Sequence, residues 1–197
     1  HCNGLIEIIE KMRVENIVMS KQSKESEEYK KILEIIKQKN IKVSSVKAED
    51  KIIIEKNLYT KILNPAEKFE FQDLNNNAIV AKLVYKNFSM LFTGDIEKLA
   101  EQQILKAEKA EIRADILKVA HHGSKTSSIP EFIKAVKPKI ALIGVGKNNT
   151  FGHPNQQTIK NLENIKCRIY RTDLQGEIII KIDQKGRMNV KSKLKIK

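Results

Sequence analysis

Four histidines occur in the chain, His1, His121, His122 and His153, and each lies near a glycine or at the end of a predicted strand. His1 precedes Asn3-Gly4, His121 and His122 close a strand in Ala120-His121-His122-Gly123-Ser124, and His153 sits in Phe151-Gly152-His153-Pro154. Asp95 belongs with them, since it ends an apolar strand in Thr93-Gly94-Asp95. In α/β proteins the ends of strands and the loops that follow carry binding groups, because side chains converge there on a rigid frame. One carboxylate and several imidazoles form a ligand set suited to zinc or manganese with a position left for water. Asp95 also fits a simpler role, capping a helix that starts at Ile96.

Around these residues lie groups suited to an anion. Ser124, Lys125, Thr126, Ser127 and Ser128 follow the histidine pair, and Lys147, Asn148 and Asn149 precede the Gly152-His153 step. Hydroxyls, amides and ammonium groups of this kind could face a phosphate, and the serine run could equally cap the next helix. Asp173, in Arg171-Thr172-Asp173, reads as a turn former ahead of Gly176.

The pattern of apolar residues says which elements must position these groups. Helical spacing places helices over about residues 5–12 and 25–39, each leading into a short apolar strand, at 17–19 and 41–46. A β-rich middle follows, with strands at 51–55, 59–63, 78–85 and 88–92, the last two joined by a Lys86-Asn87 turn. From Asp95 onward helices (96–107, 130–136, 156–164) alternate with strands (115–120, 139–145, 168–171), and a hairpin strand at 177–183 closes the pattern. Hairpins followed by alternating units predict an α/β domain with a mixed sheet and helices packed against it. Asn75-Asn76-Asn77 is a short polar patch, and no internal repeat is visible.

The chain has 197 residues, enough for one domain over 1–197 with a sizeable core. Its apolar runs, such as 140–145, are of strand length, so none predicts a membrane-spanning helix. Two cysteines, Cys2 and Cys167, lack CxxC spacing and argue against a thiolate metal cage or a disulfide scaffold. The chain opens on His1 without a signal-like segment, so the sequence reads as beginning mid-domain. A net charge of +13 favours polyanion capture, though a lysine-rich solvated surface gives the same sum. Residues 185–197 carry six basic side chains and no acid, as a basic edge strand or tail would.

Taken together, Leu91-Phe92-Thr93-Gly94-Asp95, Leu117-Lys118-Val119-Ala120-His121-His122-Gly123-Ser124, Gly146-Lys147-Asn148-Asn149 with Gly152-His153-Pro154, and Tyr170-Arg171-Thr172-Asp173 resemble the metallo-β-lactamase-like domain of ComEC-type competence proteins. The order and spacing match across nearly the whole chain. The resemblance implies a four-layer αββα sandwich with its metal site at one edge between the sheets. His1-Cys2-Asn3-Gly4-Leu5 is similar to the tail of the family's first metal motif, and the upstream ligands of that motif are absent from this sequence. The expectation is a domain lacking its N-terminal strands, with one sheet incomplete and with impaired activity.

By the same resemblance His1, Asp95 and His122 or His121 would hold one or two divalent ions, zinc or manganese. His153 would contact the scissile phosphate or complete the site. Ser124, Lys125, Lys147, Asn148 and Asn149 would bind the phosphate backbone. The implied activity is metal-dependent phosphodiester hydrolysis of single-stranded or double-stranded DNA during DNA uptake. The implied setting is a soluble domain attached to a membrane-embedded bacterial competence protein, on its extracytoplasmic face. Two other functions fit the same residues: a hydrolase of small phosphoesters, since the Gly-Asp and His-His-Gly-Ser pieces also resemble phosphorylcholine esterases, or a non-catalytic module that guides DNA.

Overall fold

A computed structural model describes residues 3–22, 25–68, 71–108 and 112–195. His1 therefore lies outside the described residues. The chain divides into two compact units, His1–Val46 and Lys47–Lys197. The first is built from α1 (Asn3–Lys11), β1 (Asn16–Met19), α2 (Glu27–Gln38) and β2 (Lys42–Ser45), with β1 and β2 paired in parallel. Ile9 from α1 and Ile32, Ile35 and Ile36 from α2 form its core with Ile41. Their spacing gives each helix one apolar stripe, and the stripes bury each other. Ser26 caps α2 by accepting the Tyr29 amide at 3.2 Å, and the Lys39 ammonium donates to the last carbonyls of α1, at Ile9 and Glu10.

The second unit is organised by a seven-stranded mixed sheet. Its strands are β3 (Lys51–Glu55), β4 (Leu58–Asn64), β5 (Val80–Tyr85), β6 (Phe88–Phe92), β7 (Ile116–Lys118), β8 (Ile140–Ile143) and β9 (Arg168–Arg171), in that spatial order. The first four pair antiparallel as a meander, and β6 through β9 run parallel. The crossovers carry α3 (Lys98–Glu108), α4 (Pro130–Val136) and α5 (Gln156–Asn164). A single turn, α6 (Thr172–Gln175), leads into the hairpin of β10 (Ile178–Ile182) and β11 (Met188–Ser192).

Strand alternation sends neighbouring residues to opposite faces, and each face has its own core. Leu91, Leu117, Val119, Ala141 and Ile143 meet Ile96, Ala100 and Ile104 of α3, Phe132, Ile133 and Val136 of α4 and Leu162 of α5. On the other face Phe88, Ile116, Ile140 and Tyr170 pack against Ile178, Ile180, Ile182, Met188 and Val190 of the hairpin. The second unit thus has a helix layer, a seven-stranded sheet and a two-stranded layer, and the expected α/β class holds. Among the described residues no helix is long and apolar enough to cross a membrane.

Several expected elements fall where the pattern put them, notably the helices at 130–136 and 156–164 and the strand at 168–171. The helix expected from Ile96 starts later, at Lys98. Residues 93–97 instead form a turn in which the Ile96 amide bonds the Thr93 carbonyl at 3.3 Å.

Candidate functional site

Four parallel strands, β6 to β9, end along one edge of the sheet, and every candidate residue in the second unit follows one of those ends. After β6, Thr93 is buried and donates its hydroxyl to the Lys118 carbonyl at 2.6 Å, locking the end of β6 to that of β7. Gly94 follows at φ +53°, where a side chain would be strained, and an added Cβ would lie 3.2 Å from that of Ala78. Its carbonyl accepts the His121 amide at 3.1 Å, which ties the Gly-Asp turn to the histidine pair.

The start of α3 is held by a residue far upstream. The amides of Glu97 and Ala100 at the start of α3 donate to Asn76 Oδ1, at 3.0 and 3.1 Å. Asn76 thus performs the capping that Asp95 was suited to. Among the described residues no side chain caps the start of α4. In the turn before it the Glu101 carboxylate accepts the amides of Ser128 and Ile129, at 2.6 and 2.9 Å. Burial pushes the Glu101 carboxyl up to about 7, opposed by those two amides.

After β7 the chain turns through three consecutive left-handed residues: His121 at φ 47°, His122 at φ 54° and Gly123 at φ 81°. The left-handed region costs an L residue on the order of 1 kcal/mol, and such conformations persist where surrounding bonds impose them. Here they aim the two imidazoles differently. His122 Nδ1 lies 2.6 Å from the Gly144 carbonyl at the end of β8. A carbonyl only accepts, so Nδ1 carries the proton, and in the neutral ring the lone pair is on Nε2. That Nε2 is 3.8 Å from Asp95 Oδ2. His121 turns elsewhere, with Nδ1 3.2 Å from Glu97 Oε1. That pair is close enough for charge attraction but lacks hydrogen-bond alignment. Of the two histidines, His122 faces Asp95.

The loop after β8 brings the third imidazole. Asn149 closes it, its amide donating to the carbonyls of Gly146 and His153 at 3.1 and 2.8 Å and its Oδ1 accepting the His153 amide at 2.9 Å. The His153 ring lies 5.8 Å from that of His121 and 5.9 Å from that of Phe151. Burial, reinforced by the two neighbouring imidazoles and opposed by Asp95, moves the His153 pKa below its ordinary value. Gly123 joins this loop to the histidine turn, because its carbonyl accepts the Asn155 amide at 2.8 Å.

The remaining candidates are placed as follows. Ser124 is buried, with its hydroxyl 3.0 Å from that of Thr126. Lys125, Lys147 and Asn148 are exposed. Asp173 is gripped by Arg171, whose Nε and Nη2 lie 3.0 and 2.5 Å from its two oxygens. Among the described residues no three His, Cys, Asp or Glu side chains converge closely enough to enclose a metal ion.

Lys118 lines the same edge and was missed by sequence reasoning. It occupies the register row of Phe92 and Leu142, and its ammonium donates to the Val119 carbonyl at 2.8 Å. Burial lowers its pKa, and the nearby Asp95 charge opposes that. A lysine inside the apolar strand Ile116-Leu117-Lys118-Val119-Ala120 was the available signal.

Over 166 residues the chain is 35% identical to ComE operon protein 3 of Bacillus subtilis, a match that covers 84% of the chain and 21% of that protein. It is 29% identical over 118 residues to competence protein ComA of Neisseria gonorrhoeae, covering 60% of the chain and 17% of that protein. The chain is homologous to the ComEC-type competence proteins. It spans about a fifth of the length of these relatives. No family model matches it. A solved structure described as a metal-dependent hydrolase from Parabacteroides distasonis overlaps 85% of the chain and 80% of its own. Its TM-score is 0.49 at 13% identity, a likeness too slight to transfer chemistry.

Proposed function

We propose that this segment of the ComEC-type homologue is a metal-dependent phosphodiester hydrolase acting on DNA, with its centre at Asp95 and His122. The observation that carries the proposal is their mutual geometry. Asp95 Oδ2 and His122 Nε2 face each other across 3.8 Å, with the imidazole oriented from behind by the Gly144 carbonyl. A 3.8 Å span is within reach of two metal–ligand bonds of about 2.0–2.2 Å. The backbone carbonyl behind a ligating histidine is also the usual means of orienting it.

Asp95 and His122 would therefore hold a divalent cation, zinc or manganese, which when bound supplies hydroxide near neutral pH and offsets charge on the phosphate. The rest of the chemistry belongs to the chain. His153, favoured in its neutral form by burial, can accept a proton or donate a hydrogen bond to a phosphate oxygen. The Lys118 ammonium stands within the field of Asp95 and adds fixed positive charge. Lys125 and Lys147 reach from exposed loops towards the backbone of a bound strand, while the Ser124 hydroxyl, buried against Thr126, supports the turn. The setting proposed is a domain of a membrane-embedded competence protein, facing outward, that handles incoming DNA.

The test is cleavage of labelled DNA with Mn²⁺ or Zn²⁺ and with chelator. It uses this chain and a longer protein carrying the family's whole first metal motif. Metal-dependent shortening of DNA, reduced at least about 100-fold in Asp95→Ala with the fold retained, is the expected result. If the protein binds metal and hydrolyses a small phosphoester while DNA stays intact, the esterase reading replaces this one.

A further inference from the structure

Phe151 is 79% exposed, more than Phe92 at 38%, while Phe88 and Phe132 are buried. Leaving such a ring in water forgoes the stabilisation that burying it would give. Its position is not that of a loose loop tip. The three hydrogen bonds of Asn149 close the segment from Gly146 to His153 around it. The ring is stacked on His153, centroids 5.9 Å apart and planes inclined by 20°. One face is thus backed by a residue of the candidate site, while most of the ring stays open to solvent. Exposed Lys147 and Asn148 lie in the same loop.

A solvent-open aromatic in a hydrogen-bonded loop that also carries Lys147, at the rim of a phosphodiester site, matches one ligand chemistry well. Unpaired nucleobases stack on such rings while their phosphates follow positive charge, and bases inside a duplex cannot. The geometry points to Phe151, backed by His153, as a stacking platform for an unpaired base of the strand whose phosphate lies at Asp95 and His122. This inference rests on the phosphodiester reading and narrows its substrate to single-stranded nucleic acid. The net charge of +13 complements that ligand.

The chain contains no Trp, so Phe151→Trp creates a single indole at the platform. Its fluorescence is followed on titration with a single-stranded 12-mer, an abasic 12-mer of equal charge and a duplex, all in chelator so that nothing is cleaved. The expected result is strong quenching by the single strand and little by the other two. Phe151→Ala, with an unchanged unfolding midpoint, should weaken single-strand binding by about 5- to 100-fold and leave abasic binding unchanged, and Phe151→Tyr should restore it. Equal quenching by abasic and natural strands, an equal loss for both in Phe151→Ala, or no single-strand binding at all would overturn the platform. Base-dependent binding by a protein that never cleaves DNA would leave the platform standing and remove the hydrolase. Cleavage indifferent to Phe151 would do the reverse.

Discussion

His121 and His122 are adjacent and share a left-handed backbone, yet their rings have different partners, Glu97 for one and Asp95 for the other. That separation predicts unequal effects. His122→Ala should lower divalent-metal affinity by at least about 100-fold, while His121→Ala should cost far less, as isothermal titration of the two variants would show. Equal losses would place both rings on the ion. The sequence grouped both histidines, Asp95 and His153 at strand ends, and these side chains lie near one another because a polar residue at the end of an apolar strand has a definite place in an α/β fold. It left open which histidine faces Asp95, because backbone angles at 121–123 decide that and neighbouring residue types do not encode them.

At the scale of elements, side chains from distant segments hold the site turns. Gly123 sits at φ +81°, and an added Cβ would lie 2.7 Å from that of Pro154. Gly123→Ala should therefore cost about 2 kcal/mol or more in a denaturant melt and lower metal affinity as well. An unchanged melt would mean that the loop yields freely. Glu101 gives a pH signature. Its folded pKa of about 7 lies above the ordinary value of 4.5, so the folded state binds more protons between those limits. Stability should fall as pH rises through that window, and Glu101→Gln should flatten the slope in urea midpoints. An identical slope in the variant would assign it elsewhere.

The same elements show what was legible. Helices at 130–136 and 156–164 were readable because Pro130 and Asn155 punctuate their starts locally. The cap of α3 and the anchor of the turn before α4 were not, since Asn76 acts on amides 21 and 24 residues away and Glu101 on amides 27 and 28 away. Asn75-Asn76-Asn77 therefore looked like a polar patch, although Asn76 and Asn77 are buried and bonded.

For the molecule as a whole, positive charge is spread over more than the site. A cleft of about 590 Å³, lined by Arg168, Tyr170, Gln175, Lys191, Ser192 and Lys195, lies between β9 and β11. Single-strand binding should weaken steeply with salt, by roughly 20- to 50-fold between 50 and 200 mM if three to four phosphates are contacted. Replacing Lys125 and Lys147 by Ala should reduce the logarithmic slope by about 1.4. A slope untouched by those changes would move the contacts to other cations.

The proposed hydrolase depends on Asp95 and His122 sharing one cation. The most direct measurement is a Mn²⁺ titration of the isotope-labelled chain by NMR, in the native sequence and in Asp95→Ala. Saturable binding that first broadens signals from residues 94–96, 121–123 and 153, and that disappears in the variant, is the predicted result. Undiminished binding by Asp95→Ala, or broadening centred away from those strand ends, would contradict the account.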